Sequence, residues 1–189
     1  MSKTKEWLLD SSIILIWGDL EYENLREVVD GLHNRAALQP DELTISINSS
    51  GGDFNLALGL FDLIRLISGR GTKIITVCFG EVSSGAILLA AAGDQRLATP
   101  NTSFCVHSVF DEETQETDYP ETLRYLSLIE ARTGLSAERA LAEMQTAIDN
   151  EWNFNSKTAL EIGLLTKIWE KQSDPLPVLP IHENNRGCG

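Results

Sequence analysis

The sequence predicts an α/β protein with a mainly parallel β-sheet and a more helical second half. Short apolar runs rich in β-branched residues alternate with segments whose apolar residues recur at helical spacing. Such an alternation implies right-handed crossovers between parallel strands. Of the 189 residues, 42% are hydrophobic and 23% are charged, which is typical of a globular protein with an adequate core.

The first half of the chain carries the alternation. Strands are predicted at 12–17, 43–48, 73–79 and 103–107, and helices at 25–32, 56–67 and 86–92. The last of these helices is rich in alanine, which favours a buried helix over a strand. Turns are predicted at 48–52 and at 80–85, each between a strand and the following helix.

The second half is predicted to contain three helices and one strand. Apolar spacing indicates a helix around 123–129, a second that Ser136 caps and that reaches Ile148, and a short third capped by Asn155 or Ser156. Residues 164–169 are a final strand candidate. The acidic segment 111–118 is predicted as a solvated loop or arm.

The sequence predicts one domain followed by a short tail. Residues 1–172 are predicted to form a single domain, and the proline-rich residues 173–189 are predicted to form an extended tail.

Charge and composition exclude several classes of function. The net charge of −13 argues against nucleic acid or an anionic membrane as a partner. Three cysteines and three histidines without a Cys-x-x-Cys pair or a cluster predict no metal site and no disulfide framework. Without a signal peptide or a long apolar span, the expected compartment is the cytoplasm.

Three features fall where parallel sheets place their functional sites. Ser83 and Ser84 lie between a strand and an apolar helix, Gly51 and Gly52 end another strand, and His107 closes a third. Taken singly, a helix cap, a tight turn and a structural histidine explain them equally well or better. Together they are the parts of a hydrolase, namely nucleophile, oxyanion hole and general base, and an acidic residue within 149–151 completes the set. No cofactor is expected, because such a hydrolysis needs none for bond cleavage.

Four stretches of the sequence, 46–52, 82–96, 100–107 and 159–164, follow one another in an order and spacing that resemble the Clp protease proteolytic subunit. The resemblance implies a ClpP/crotonase-like spiral of β-α-β units and a serine endopeptidase acting through an acyl-enzyme. It places the nucleophile at Ser83, with Ser84 as second candidate because the preceding stretch is one residue short. It further implies His107 as base, the Gly52 and Ser84 amides as oxyanion hole, and Glu151 or Asp149 as the orienting acid.

The resemblance also implies partners. These are a peptide or unfolded-protein substrate, a homo-oligomeric ring of one or two heptamers, and an AAA+ unfoldase or a paralogous ring subunit. The chain departs from the family pattern in three places: the N-terminal pore loops are nearly absent, an acidic segment at 110–118 replaces the ring-joining handle, and Ser108-Val109 follow His107.

Three alternatives stay open. The departures favour a catalytically weak or silent ring subunit. An acyl-CoA enzyme of the crotonase type shares the fold, and a phage or plasmid maturation peptidase shares both the fold and the chemistry.

Overall fold

The computed structural model describes residues 13–110, 114, 116–147 and 149–169, so the predicted tail and the end of the helix at Ile148 lie outside the described residues. The elements in chain order are β1 (Ile13–Trp17), α1 (Tyr22–Ala37), β2 (Glu42–Ser49), α2 (Phe54–Gly69), β3 (Lys73–Ser83), α3 (Gly85–Ala91), β4 (Gln95–Ala98), β5 (Ser103–His107), α4 (Tyr119–Glu130), α5 (Ala137–Thr146), β6 (Glu151–Asn155), α6 (Ser156–Glu161) and β7 (Lys167–Ile168).

The strands form one mixed sheet, which confirms the predicted α/β class. The order is β1-β2-β3-β4-β7, with β5 beside the end of β3 and β6 beside β5. Every strand pair is parallel except β5 with β6. Helices α1, α2 and α3 connect or follow parallel strands, as crossover connections require.

Strand β3 runs further than the sequence predicts, so the predicted turn at 80–85 is wrong over residues 80–83. Gly80 has φ +54° and forms an irregularity in the pairing with β2. The Oδ1 atom of Asn48 accepts the Glu81 N–H there, at 3.1 Å. Before this bulge β3 pairs with β4, and after it β3 pairs with β5. The bulge therefore redirects the end of the strand toward a different neighbour.

Helix α3 is the centre of the core. All of its residues are buried, and it packs against α2, α4 and β3. Small side chains allow this close approach, because a Cβ added at Gly85 would already lie 2.9 Å from the Ala57 Cβ. The alanine-rich run is thus a buried helix, as predicted.

Two short strands escape the sequence prediction. β4 has four residues, and β6 alternates buried Trp152 and Phe154 with exposed polar residues. The predicted strand at 164–169 is confined to the two residues of β7. Both predicted helix caps are present: Ser136 accepts the N–H of Arg139, and Asn155 rather than Ser156 accepts the N–H of Thr158.

One carboxylate joins several elements. Asp94, after α3, accepts hydrogen bonds from Arg65 at 2.8 Å, from Ser68 at 2.9 Å, from the Ile74 N–H at 2.9 Å and from Arg132 at 3.2 Å. These donors come from α2, from β3 and from just after α4. Burial raises the pKa of Asp94, but the hydrogen bonds from Ile74, Arg65 and Ser68 outweigh it and lower the pKa overall.

Candidate active site

The Gly51-Gly52 turn packs directly on the turn between β3 and α3. Gly51 has φ +99° and Gly52 has φ +141°, both in the region that favours glycine. A Cβ added at Gly51 would lie 2.6 Å from the Ser84 Cβ, and one added at Gly52 would lie 2.6 Å from the Leu20 carbonyl oxygen. Glycine is therefore required at both positions, and the backbone of the turn lies against Ser84.

Ser84 adopts a strained backbone conformation at the end of β3. Its φ is +53° and its ψ is −128°, which costs a non-glycine residue about 1–3 kcal/mol. Besides the Ile87 N–H, which donates to the Ser84 carbonyl at 2.9 Å at the start of α3, two hydrogen bonds from distant elements hold it there. The Ser84 N–H donates to the Cys105 carbonyl at 2.9 Å, and the Tyr125 hydroxyl donates to the Ser84 carbonyl at 2.8 Å. A serine on such a strand-to-helix turn is the arrangement that presents a nucleophile in α/β hydrolases.

Ser83 has different surroundings. It is the last residue of β3, only 6% exposed, and its hydroxyl donates to the Glu81 carboxylate at 2.9 Å. Ser83 does not contribute to the cleft that contains Ser84 and His107. The structure thus separates two neighbouring serines that the sequence treats as near equivalents.

Ser84 and His107 line one open cleft of about 560 Å³. Its wall combines glycines, aromatic and aliphatic residues, and three acidic residues. The lining residues are Gly52, Asp53, Phe54, Asn55, Ser84, Gly85, His107, Val109, Phe110, Asp118, Glu121 and Tyr125. The site therefore brings together the turn, one of the two serines and the histidine that the sequence singled out.

The His107 ring is fixed from two sides. Its Nδ1 atom lies 2.7 Å from the Ser108 carbonyl oxygen. Since a carbonyl oxygen only accepts hydrogen bonds, Nδ1 carries the proton and Nε2 of the neutral ring is left as a base. The ring stacks on Phe110, with the centroids 5.7 Å apart and the planes 25° from parallel.

Two backbone N–H groups beside Ser84 are free to bind an anion. Within the described residues, neither the Gly52 nor the Gly85 N–H has a hydrogen-bond acceptor. The Ser84 N–H, in contrast, is occupied by the Cys105 carbonyl. Paired free amides of this kind stabilise the oxyanion of a tetrahedral intermediate.

The predicted acid does not contact the imidazole. Glu151 lies opposite His107 in the β5–β6 register, but its carboxylate approaches the Cys105 Sγ, at 4.0 Å. Burial and then the charges of Glu151 and Glu81 raise the pKa of Cys105 to about 11. Asp149 is exposed, and in the described part of the chain no hydrogen bond or ion pair joins either carboxylate to His107.

Sequence reasoning missed three groups of this site: the Tyr125 hydroxyl, the Ser108 carbonyl and the Gly85 amide. The two backbone groups have no sequence signal. Tyr125 lies on the buried face of α4 with Leu126 and Ile129. A buried tyrosine hydroxyl needs a hydrogen-bond partner, and this need is the one sequence signal that could have identified Tyr125. Among the described residues there is no His, Cys, Asp or Glu cluster that would hold a metal, and no helix with the length and hydropathy of a membrane span.

Comparison with known proteins identifies the family of the chain. The family model described as Clp protease matches residues 1–172. The chain is 29% identical over 175 residues to the ATP-dependent Clp protease proteolytic subunit 2 of Pseudomonas aeruginosa, covering 88% of this chain and 85% of that protein. It is 24% identical over 172 residues to proteolytic subunit 1 of Corynebacterium diphtheriae, covering 86% and 81%.

Solved structures show the same fold. A point mutant of ClpP1 from Listeria monocytogenes aligns with TM-score 0.74 and 26% identity, over 89% of this chain and 97% of that chain. The ClpP protease catalytic domain from Plasmodium falciparum aligns with TM-score 0.74 and 23% identity, over 94% and 95%, and shows likeness of fold. With the family model spanning nearly all of its length, this chain belongs to the Clp protease family.

Proposed function

We propose that the chain is a serine endopeptidase whose nucleophile is Ser84 and whose general base is His107. Family membership supports a peptidase. The choice between the two serines rests on which of the backbone N–H groups that follow them is free to donate a hydrogen bond. The residue after the nucleophile must offer a free N–H, which Gly85 does, whereas the N–H of Ser84 is bonded to Cys105. Ser83 stays the alternative.

The proposed reaction uses groups of the cleft alone. His107 Nε2 takes the proton of the Ser84 hydroxyl as its oxygen attacks the peptide carbonyl carbon. The carbonyl oxygen becomes negative and accepts the Gly52 and Gly85 N–H groups. His107 then gives its proton to the amine as the C–N bond breaks, leaving an acyl-enzyme. A water gives a proton to His107 as its oxygen attacks the acyl carbon. His107 then returns that proton to the Ser84 oxygen as the ester C–O bond breaks, which releases the acid and regenerates Ser84.

The orientation of the imidazole is assigned to the Ser108 carbonyl. Its short contact with Nδ1 fixes the same tautomer that a carboxylate fixes in a Ser-His-Asp triad. A neutral carbonyl stabilises the imidazolium less than a carboxylate does, because it carries no net charge. The site is therefore proposed to act as a Ser84–His107 dyad that Ser108 positions.

The test is covalent labelling with a fluorophosphonate, read by intact-protein mass. Wild type and Ser83→Ala should gain one label, and Ser84→Ala should gain none. Circular dichroism confirms that each variant is folded. Labelling that persists in Ser84→Ala and disappears in Ser83→Ala would transfer the nucleophile to Ser83.

A catalytically weak ring subunit is the second candidate, and one observation favours it. No carboxylate contacts His107 in the described residues, so the base lacks the usual charged support. Peptidase assays of the chain alone and co-expressed with an active paralogue separate the two. Turnover by the chain alone excludes the silent subunit.

Assembly into a ring, with an AAA+ unfoldase or a paralogous subunit as partner, is proposed from family membership. In support, the exposed face of β1 carries Leu15 at 53% and Trp17 at 58% exposure. ATP dependence would belong to the unfoldase. Native mass spectrometry measures the assembly, and a monomer at micromolar concentration would contradict the ring.

A further inference from the structure

We propose that the cleft selects peptides with a cationic side chain, arginine or lysine, beside the bond to be cleaved. This inference rests on the proposed function and names its substrate class. Three acidic residues, Asp53, Asp118 and Glu121, line the cleft that contains Ser84 and His107. Among the described residues that line it there is no lysine or arginine, so the charge of this lining at neutral pH is negative.

Two of the carboxylates are held in place without being neutralised. Asp53 caps α2 by accepting the Leu56 N–H at 2.9 Å, and Asp118 caps α4 by accepting the Glu121 N–H at 3.0 Å. Each cap uses one carboxylate oxygen. Neither aspartate forms an ion pair within the described part of the chain. The second oxygen of each is available to a cation from outside.

Glu121, unlike the two aspartates, already has a cationic neighbour. Its carboxylate lies 3.3 Å from Arg124, one turn along α4, and both side chains are at least a third exposed. Such exposed ion pairs contribute little free energy, because water screens the attraction between the two charges. A substrate cation that binds between Asp118 and Glu121 replaces that contact at little cost.

The apolar part of the wall suits the same side chain. Phe54 and Tyr125 form an edge-to-face pair at 6.1 Å, and Val109 and Phe110 line the wall beside His107. Arginine and lysine have apolar stems that pack on such a surface while their charged ends reach carboxylates. Aspartate or glutamate at that position would meet three like charges, and leucine would leave the carboxylates without a partner.

The test compares two peptides that differ in charge alone. One carries arginine and the other citrulline, its neutral isostere, and binding to Ser84→Ala protein is followed by fluorescence anisotropy. We expect roughly tenfold tighter binding of the arginine peptide, and a smaller ratio at high salt. Wild type should cleave the arginine peptide with a correspondingly higher kcat/KM.

Asp118→Asn, made in the Ser84→Ala protein, should bring the two affinities close together. Asparagine caps a helix as well as aspartate does, so this variant removes charge and keeps the start of α4. Asp62→Asn, also in that background, is the matched control, since Asp62 is exposed on α2 and does not line the cleft.

Equal affinity for the two peptides, or a preference for arginine that Asp53→Asn, Asp118→Asn and Glu121→Gln all retain, would overturn the inference. The outcome is independent of catalysis, because the binding assay uses Ser84→Ala. Failure of fluorophosphonate labelling beside a clear arginine preference would remove the peptidase and keep the ligand class.

Discussion

The backbone strain at Ser84 is maintained by neighbours that leave it no alternative position. Tyr125 holds its carbonyl, Cys105 holds its N–H, and Gly51 lies against its Cβ. Strain of this kind persists only where the surroundings determine the conformation more than once. The reactivity proposed for Ser84 is thus a property of residues far from it in sequence.

We predict that Gly51→Ala destabilises the protein and abolishes labelling at Ser84. Alanine at this position would have to keep the backbone at φ +99°, and its Cβ would lie 2.6 Å from the Ser84 Cβ. The expected loss is at least about 2 kcal/mol in the free energy of unfolding, measured by denaturant titration. Gly59→Ala on α2 is the control, because nothing lies within 4 Å of its added Cβ and alanine favours helix. Equal stability of Gly51→Ala and wild type would contradict the packing described.

A second prediction concerns Glu151. Because its carboxylate faces Cys105 and does not contact the imidazole, Glu151→Gln should lower kcat/KM by less than about tenfold. Replacement of a true triad carboxylate by its amide costs about 10⁴-fold. His107→Ala provides the scale of full loss in the same peptide assay. A drop of about 10³-fold or more in Glu151→Gln would show that Glu151 orients the base.

The residue types and their order are enough to name the glycine turn, the two serines and the histidine as site candidates. They do not decide which serine is the nucleophile, and that prediction rests on the family resemblance alone. Which of two adjacent serines leaves the sheet depends on where β3 ends. That end is set by pairing of Glu81–Ser83 with β5, a contact distant in sequence. No local pattern encodes it, and the same holds for the acceptor of His107 Nδ1.

At the scale of elements, β3 is the strand that defines the site. Its bulge at Gly80 lets one strand pair first with β4 and then with β5. Apolar β-branched runs predicted the long strands well, because those strands are buried. β4 and β6 were missed since a four-residue strand has too little pattern and β6 carries charged and amide residues on its exposed face.

The Asp94 network makes the connection between elements sensitive to pH. The pKa of Asp94 is lower in the folded chain than in the unfolded one, so its contribution is present above about pH 4 and is lost as the pH falls through the folded value. Asp94→Asn should therefore be less stable than wild type by about 1–3 kcal/mol at pH 7, and its stability should fall less on acidification.

Denaturant titrations at pH 7 and at pH 3 measure this difference. Asp30→Asn, on the exposed face of α1, is the control and should match wild type within about 0.5 kcal/mol at pH 7. Parallel pH dependence of wild type and Asp94→Asn would mean that Asp94 does not couple protonation to folding.

At the scale of the whole molecule, two cysteines report on the integrity of the fold. Cys78 is fully buried and burial raises its pKa to about 12, while Cys105 is 8% exposed with a pKa of about 11. Since the thiolate is the reactive form, neither should react with Ellman's reagent at pH 8 in the folded protein. The experiment uses a Cys188→Ser variant, because Cys188 lies outside the described residues. Two thiols should appear on unfolding in guanidinium, and rapid reaction of the folded protein would contradict the burial.

Helix α4 contributes both to the wall of the cleft and to the strained turn at Ser84. Its N-cap Asp118 and Glu121 of its first turn line the cleft, and one turn later the Tyr125 hydroxyl donates to the carbonyl of Ser84. A helix moves nearly as a rigid body, so a shift that widens the cleft also pulls on the strained turn. Substrate access and the geometry of the proposed nucleophile therefore depend on the position of the same helix.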